Sequence, residues 1–396
     1  MINIDDLKKD VNPLSEHYKD FRVTERILLT GHSHQAQPDC SKEGILQCWK
    51  DASELADDKW KRVFAAADKF RLHISELLDD DKENIVFGQN THDLILRFLS
   101  ALDFKSRKKI ITSDGEFHTI RRQLDRLNQG YLEVIKVKRD PIGTLSERLI
   151  KEIDDSVLAV MVSKVMFQDA SIVSGFAEVE ESCTKHGAKL LVDIYHVLNA
   201  IPFSLKEEKL ENSFLVGGGY KYLQLGEGNC FMRIPPNEIF KPVITGWFAE
   251  FAALSAKKNP GEVLYGDKHW AFEGSTYDPV SHYRAVKVFE FFKEQKLTPL
   301  LLREINNHQK DVIESEFKGY DLDPVKIKVT DVKERGGFMT FLTPHAGIIS
   351  NKLREHNILT DYRGDFLRFG PAPYLADSQL KEAVECLKDI VNIIKT

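Results

Sequence analysis

The chain has 396 residues, 42% of them hydrophobic and 29% charged, with a formal net charge of −6. That is length enough for a large core and for two domains, in the composition of an ordinary globular protein. The balance lacks the basic footprint of a nucleic-acid binder, and no run approaches the roughly 18 apolar residues of a membrane-spanning helix.

The five cysteines, Cys40, Cys48, Cys183, Cys230 and Cys386, are scattered and odd in number. Without a C-x-x-C spacing they predict neither a disulfide framework nor a metal site. The amino terminus, "MINIDDLKKDVNPL", is polar and acidic and has no apolar signal-peptide core. The expectation is a soluble cytoplasmic protein.

In chain order, "ENIVFG" (83–88) predicts a buried strand and "THDLILRFLSAL" (91–102) a helix. "KKIITS" (108–113) predicts a strand, then "EFHTIRRQLDRLNQG" (116–130) a helix closed by Gly130. "SVLAVMVSKV" (156–165) predicts a strand, and "GFAEVEESCTKHG" (175–187) a helix ending at Gly187. Three more strands are predicted at "AKLLVDIYH" (188–196), "SFLVGG" (213–218) and "NCFMRIP" (229–235). Short apolar runs alternating with amphipathic stretches predict βαβ units and an α/β fold, with a mostly parallel sheet and helices on both faces.

From residue 281 the texture changes. Residues 281–319 predict a long helical region, and "VKIKVTD" (325–331) and "GFMTFLTP" (337–344) antiparallel strands. "AGIISNKLREHN" (346–357) predicts a helix, "ILTDYRGDFLRFGPAPY" (358–374) a strand pair with a turn, and residues 377–395 a final helix. The reading is a large domain over 41–280, a smaller α+β domain over 281–396, and an amino-terminal segment, 1–40, packing with the smaller one.

In open α/β sheets ligands bind at the carboxyl ends of the strands. The segments there are "GQNT" (88–91), "DGEFH" (114–118), "SKVMFQD" (163–169), "DIYH" (193–196) and "GGYK" (218–221). Asn90 and Thr91 open a helix, where N–H groups can cradle a phosphate; a plain N-cap explains Thr91 equally well. Asp193 suits a loop start or a partner for a buried cation. His196 follows on the same turn, where a hydrogen-bonded structural histidine is the commoner case. Lys221 follows three glycines that permit close backbone approach. For an isolated "GGGYK" an exposed turn lysine is the simpler reading. A carboxylate at one strand end and a lysine 28 residues later at the next is the set that pyridoxal phosphate needs. The Asp keeps the pyridine nitrogen protonated and the Lys holds the aldehyde.

The sequence resembles fold-type-I pyridoxal-phosphate enzymes of the class V aminotransferase group, most closely the kynureninases, from about residue 27 to the carboxyl end. The segments that carry the resemblance are "DIYHVLNAIPF", "GGYKYLQLGEG", "GWF" (246–248), "FEGSTYDP" (272–279), "LRFGPAPY" (367–374) and "LLTGHSHQAQPD". It implies that Lys221 holds the cofactor and moves protons between substrate carbons, with Asp193 on the pyridine nitrogen and Tyr220 on the phosphate and beside the lysine as an acid-base helper. Asn90 and Thr91 would bind phosphate, and His196 would lie near the ring oxygen or its Asp partner. Phe117, or His118 in the alternative register, would stack on the ring. Trp247 and Thr276 would reach the cofactor of a neighbouring subunit, making the active unit a homodimer. Arg368 would clamp the substrate carboxylate, with Arg363 a competitor for that task, and His32 and Ser33 would lie near the substrate.

The sequence departs from the kynureninase pattern in the substrate half. "GHSHQ", with His32 and His34, stands in place of "GNSLG". No aspartate follows Phe117 within three residues, Asp169-Ala170 replaces a small-residue pair, and Tyr277 and Asp278 precede Pro279. These departures predict an amino acid substrate of more polar character. The resemblance implies hydrolytic β–γ cleavage of kynurenine or a relative to an aryl acid and L-alanine. A class V aminotransferase or epimerase, or a non-catalytic relative, are the alternatives. A cysteine desulfurase would need a mobile-loop cysteine, and Cys183 and Cys386 fall in helix patterns. The absence of G-x-G-x-x-G after a first strand argues against a nicotinamide enzyme.

Overall fold

A computed structural model describes residues 2–318, 328–329 and 334–395. Its centre is a seven-stranded sheet of Ile85–Gly88, Lys109–Ser113, Glu133–Val137, Val157–Ser163, Lys189–Asp193, Phe214–Gly218 and Cys230–Arg233. In space the strands starting at 85, 230, 214, 189, 157, 109 and 133 follow one another. Cys230–Arg233 runs antiparallel to both its neighbours, and every other pairing is parallel. The mostly parallel α/β sheet expected from the sequence is therefore present.

Its strands are apolar on both faces because helices cover both. Val157–Ser163 is buried at every position, as a central parallel strand requires. Alternate side chains feed two cores. Val160, Val162, Leu190 and Val192 enter one, whereas Ala159, Met161 and Leu191 enter the other, as the two-residue period of a strand dictates.

Several boundaries differ from expectation for local reasons. The strand expected over 188–196 stops at Asp193, because the Asp193 carboxylate accepts the Tyr195 N–H at 2.8 Å and turns the chain. The edge strand Glu133–Val137 was not expected; its exposed Glu133 and Lys136 interrupt the apolar signal. The long helical region is two helices, Val280–Glu294 and Pro299–Phe317. The second starts where the Thr298 side chain accepts the Leu301 N–H and Pro299 takes the first position, which suits a residue with no N–H to satisfy. The helices Ser41–Leu55 and Lys59–Leu78, also unexpected, pack against Val280–Glu294. The strand expected at 325–331 lies outside the described residues except for Lys328–Val329.

Near the carboxyl end Met339–Leu342 pairs antiparallel with Phe366–Phe369, which pairs with Asp361–Arg363. Ile27–Leu28 runs parallel to Ile358–Leu359, and Thr30 bridges to Gly370. This pairing sets His32 beside Arg368. Among the described residues no helix is long and apolar enough to cross a membrane.

Arg233 is 1% exposed; its Nε donates to Asp80 at 2.6 Å and its Nη1 to the carbonyls of Glu211 and Ser213 at 2.8 Å. Arg233→Ala leaves the Asp80 carboxylate without its cation, with Asn84 Nδ2 still donating at 3.0 Å, and takes a donor from two carbonyls; denaturant unfolding is expected to show a loss of about 3–5 kcal/mol.

Candidate active site

Chain direction along the sheet reverses between the strands ending at Ser113 and Ser163, the place where open sheets bind ligands. A cavity of about 290 Å³ opens there, lined among others by Asn90, Thr91, Phe117, Asp193, His196, Tyr220 and Lys221. A larger cavity of about 670 Å³ adjoins it, lined by Leu96, Leu99, Phe104 and Arg122 among others, with no lysine or carboxylate in its wall. The chemistry therefore belongs to the smaller one.

Lys221 is 6% exposed, with Nζ 2.6 Å from His196 Nε2 and 4.6 Å from the centre of the Tyr195 ring. Burial pushes its amine down to about 7; the Asp193 charge opposes the fall and Arg368 adds to it. The preceding glycines make this position possible by close packing. A Cβ on Gly218 would lie 2.3 Å from Tyr195 Oη, and one on Gly219 2.7 Å from Leu225. Asp193 ends the adjoining strand, and burial raises its carboxyl pKa, opposed by the Tyr195 N–H and by Lys221. Burial, then Lys221, His32 and Arg368, hold His196 well below the usual imidazole range. Its Nδ1 is buried with no hydrogen-bond partner among the described residues.

Tyr220 lines the cavity, and the exposed His34 stacks on its ring at 4.9 Å. Burial pushes the Tyr220 phenol up to about 12. Phe117 also lines the cavity, its ring centre 5.6 Å from Lys221 Nζ. His118 lines the larger cavity instead and bonds Arg121, so of the two registers Phe117 is the one that faces the lysine. Asn90 caps the helix Thr91–Ser100, its Oδ1 accepting the Asp93 N–H at 2.9 Å.

Arg368 is buried but does not line the cavity; it reaches the wall through Nη1, which donates to the Phe167 carbonyl at 2.5 Å. Its Nε and Nη2 both engage Asp361, the former at 2.8 Å. His32 Nε2 lies 2.7 Å from the same carboxylate. Burial holds His32 down to about 4, so the ring is neutral and donates from Nε2. Arg363 is largely in solvent, 3.5 Å from Asp361, which leaves Arg368 as the buried guanidinium. The Ser33 hydroxyl donates to Thr30 and lies outside the cavity wall.

Trp247 and Thr276 are exposed and outside the cavity of this chain. Their segments touch, with the Phe248 N–H donating to the Gly274 carbonyl at 3.0 Å. Tyr277 and Asp278, expected on the substrate side, do not line the cavity. Tyr277 Oη bonds His282, and the Asp278 carboxylate accepts the Val280 N–H at the start of the next helix.

Sequence reading missed Asp361, Glu116, Ser163 and Tyr195. Asp361 was recoverable, since a hairpin through "DYRGDFLR" pairs it with Arg368. Glu116 offered only its position before Phe117.

Residues 295–387 match the kynureninase C-terminal domain. No curated protein is similar to the chain in sequence. The fold is shared with solved enzymes of low identity. A C-DES mutant with glycine covalently linked to its PLP cofactor has a TM-score of 0.81 at 13% identity, over 95% of this chain and 99% of that one. A cysteine desulfurase from Thermococcus onnurineus NA1 has a TM-score of 0.77 at 17% identity over 99% of both chains. The cysteine desulfurase CsdA from Escherichia coli has a TM-score of 0.78 at 13% identity over 99% of both chains. The chain thus has the fold-type-I architecture, and its carboxyl-terminal part is kynureninase-like.

In the cofactor-free protein the Lys221 amine is expected to titrate near 7, read from the pH dependence of its reductive methylation. Asp193→Asn removes a charge that favours the ammonium and is expected to move the midpoint lower. Arg368→Gln removes an opposing cation and is expected to move it higher. A midpoint near the ordinary lysine value in all three proteins would show the amine in water.

Proposed function

We propose that this chain is a cytoplasmic pyridoxal 5'-phosphate enzyme acting on an amino acid, with kynureninase-like hydrolytic cleavage of the β–γ bond of kynurenine or a relative. The products are an aryl acid and L-alanine. The observation that carries the reading is the buried Lys221, its amine lowered to about 7, facing the same cavity as Asp193.

The donor set fits the cofactor. Lys221 suits the aldehyde, Asp193 the pyridine nitrogen and Phe117 the ring face. The helix start at Asn90 and Thr91, with Tyr220, suits the phosphate, and His196 the ring oxygen. Bound there, the cofactor supplies an electron sink for charge developing at the substrate α-carbon.

The protein's own residues supply the rest. An amine with a pKa near 7 can take a proton at neutral pH and return it, and the buried Lys221 is placed to move it between substrate carbons. Tyr220, with a phenol near 12, keeps its proton at neutral pH and serves as the donor beside the lysine. Arg368 has five N–H donors; Asp361 and the Phe167 carbonyl engage three. Two remain for an α-carboxylate, and Asp361 with His32 fixes the plane in which they point.

The match over residues 295–387 favours the kynureninase branch. Sulfur chemistry would need a thiolate. Cys230 lines the cavity, but burial pushes its thiol up to about 12, and burial also raises Cys183 and Cys386. A class V aminotransferase or epimerase acting on a more polar amino acid is the second reading. The polar His32–Asp361 pair beside Arg368 favours it.

Mixing cofactor-loaded protein with L-kynurenine is expected to release fluorescent anthranilate, and Lys221→Ala to lower the rate by about 10³-fold or more. No release from a loaded protein, with spectral response to other amino acids, would favour the second reading. The active unit in this proposal is a homodimer in which Trp247 and Thr276 reach the neighbour's phosphate. Light scattering is expected to give twice the 45.3 kDa of the chain, and Trp247→Ala to weaken cofactor binding. A monomeric protein with full cofactor affinity would contradict it.

A further inference from the structure

A second carboxyl group lies beside Asp193. Glu116 follows the strand Lys109–Ser113 and is 2% exposed. Its Oε1 is 2.5 Å from Ser113 Oγ and its Oε2 2.5 Å from Ser163 Oγ. Ser163 lines the cavity and is the register partner of Asp193 on the adjoining strand. Glu116 therefore reaches the cavity wall through one hydroxyl, at the point where Asp193 stands.

The charges around Glu116 do not neutralise it. Asp193 is a like charge close enough to be felt. Lys221 acts on Asp193 from across the cavity. On the other side, Arg139 packs so close to Gly115 that a Cβ there would lie 2.7 Å from its Cδ, and Arg139 is already paired with Asp169. The partners of Glu116 are two hydroxyls, each able to donate or accept, and the Ser163 backbone N–H, which donates. A buried carboxylate without a cation is costly, and two neighbouring carboxylates more so. Burial, helped by Asp193, pushes the Glu116 carboxyl up to about 7, against the two serine hydroxyls and the Ser163 N–H.

We propose that Glu116 is a positioning residue that holds a proton beside Asp193, so that Asp193 presents the single negative charge to a pyridine nitrogen in the cavity, and that loss of the Glu116 proton as pH rises adds a second. The step breaks one O–H bond and the proton leaves to water. The inference rests on the cofactor reading above. Its consequence is a ring nitrogen whose hold on its proton strengthens across neutral pH.

The test has two parts. In cofactor-free protein, infrared difference spectroscopy is expected to show a protonated-carboxyl C=O band that disappears with a midpoint near 7 and is missing from Glu116→Gln. Ser163→Ala removes a hydrogen bond that favours the carboxylate and is expected to move that midpoint higher. In protein loaded with pyridoxal 5'-phosphate, the cofactor absorption is expected to change with the same midpoint. Glu116→Gln is expected to keep the low-pH spectrum of the unaltered protein on both sides of it, which a merely structural role would not do. Absence of the band, or a Glu116→Gln spectrum displaced equally at every pH, would overturn the proposal. A band that is present in a protein that binds no cofactor would overturn the cofactor reading and the assigned role together.

Discussion

Taking an ammonium group out of water costs several kcal/mol even after relaxation. Lys221 is only 6% exposed, and burial weakens the amine's hold on its proton, lowering it to about 7. The consequence runs through the whole site. The amine lies 2.6 Å from His196, which burial and the Lys221 charge hold well below the usual imidazole range. Asp193 is the charge that most opposes the fall of the Lys221 amine. The fold supplies this arrangement through two adjacent parallel strands whose carboxyl ends deliver Asp193 and the turn to Lys221.

The same constraint explains the glycines. Gly218 and Gly219 leave no room for side chains against Tyr195 and Leu225, and any Cβ would displace the lysine's backbone. It also explains why the cations are segregated. Arg368 lies close enough to lower the Lys221 amine, yet Asp361 balances it. An unpaired guanidinium there would add a second buried cation beside an amine whose own charge burial already disfavours.

Much of the sheet was legible because buried parallel strands are nearly uniform apolar runs between amphipathic helices. The edge strand at 133–137 was hidden, since an edge tolerates Glu133 and Lys136 in contact with solvent. The site was legible where chemistry and chain order coincide, as at Asp193, Lys221 and Phe117. It was illegible where partners come from distant segments. Asp361 meets His32 across 329 residues, and Ser163 meets Glu116 across 47. No local pattern marks such pairs; only the strand order brings them together. Tyr277 and Asp278 show the converse. Their place in a resembling segment suggested the substrate, whereas in this chain they hydrogen-bond His282 and the Val280 N–H.

The most direct measurement is borohydride reduction of the protein loaded with pyridoxal 5'-phosphate, followed by mass spectrometry of its peptides. A phosphopyridoxyl group on Lys221 alone is the predicted result. The label on another lysine, or no label on a protein that retains its fold, would contradict the assignment of Lys221 as the cofactor's anchor.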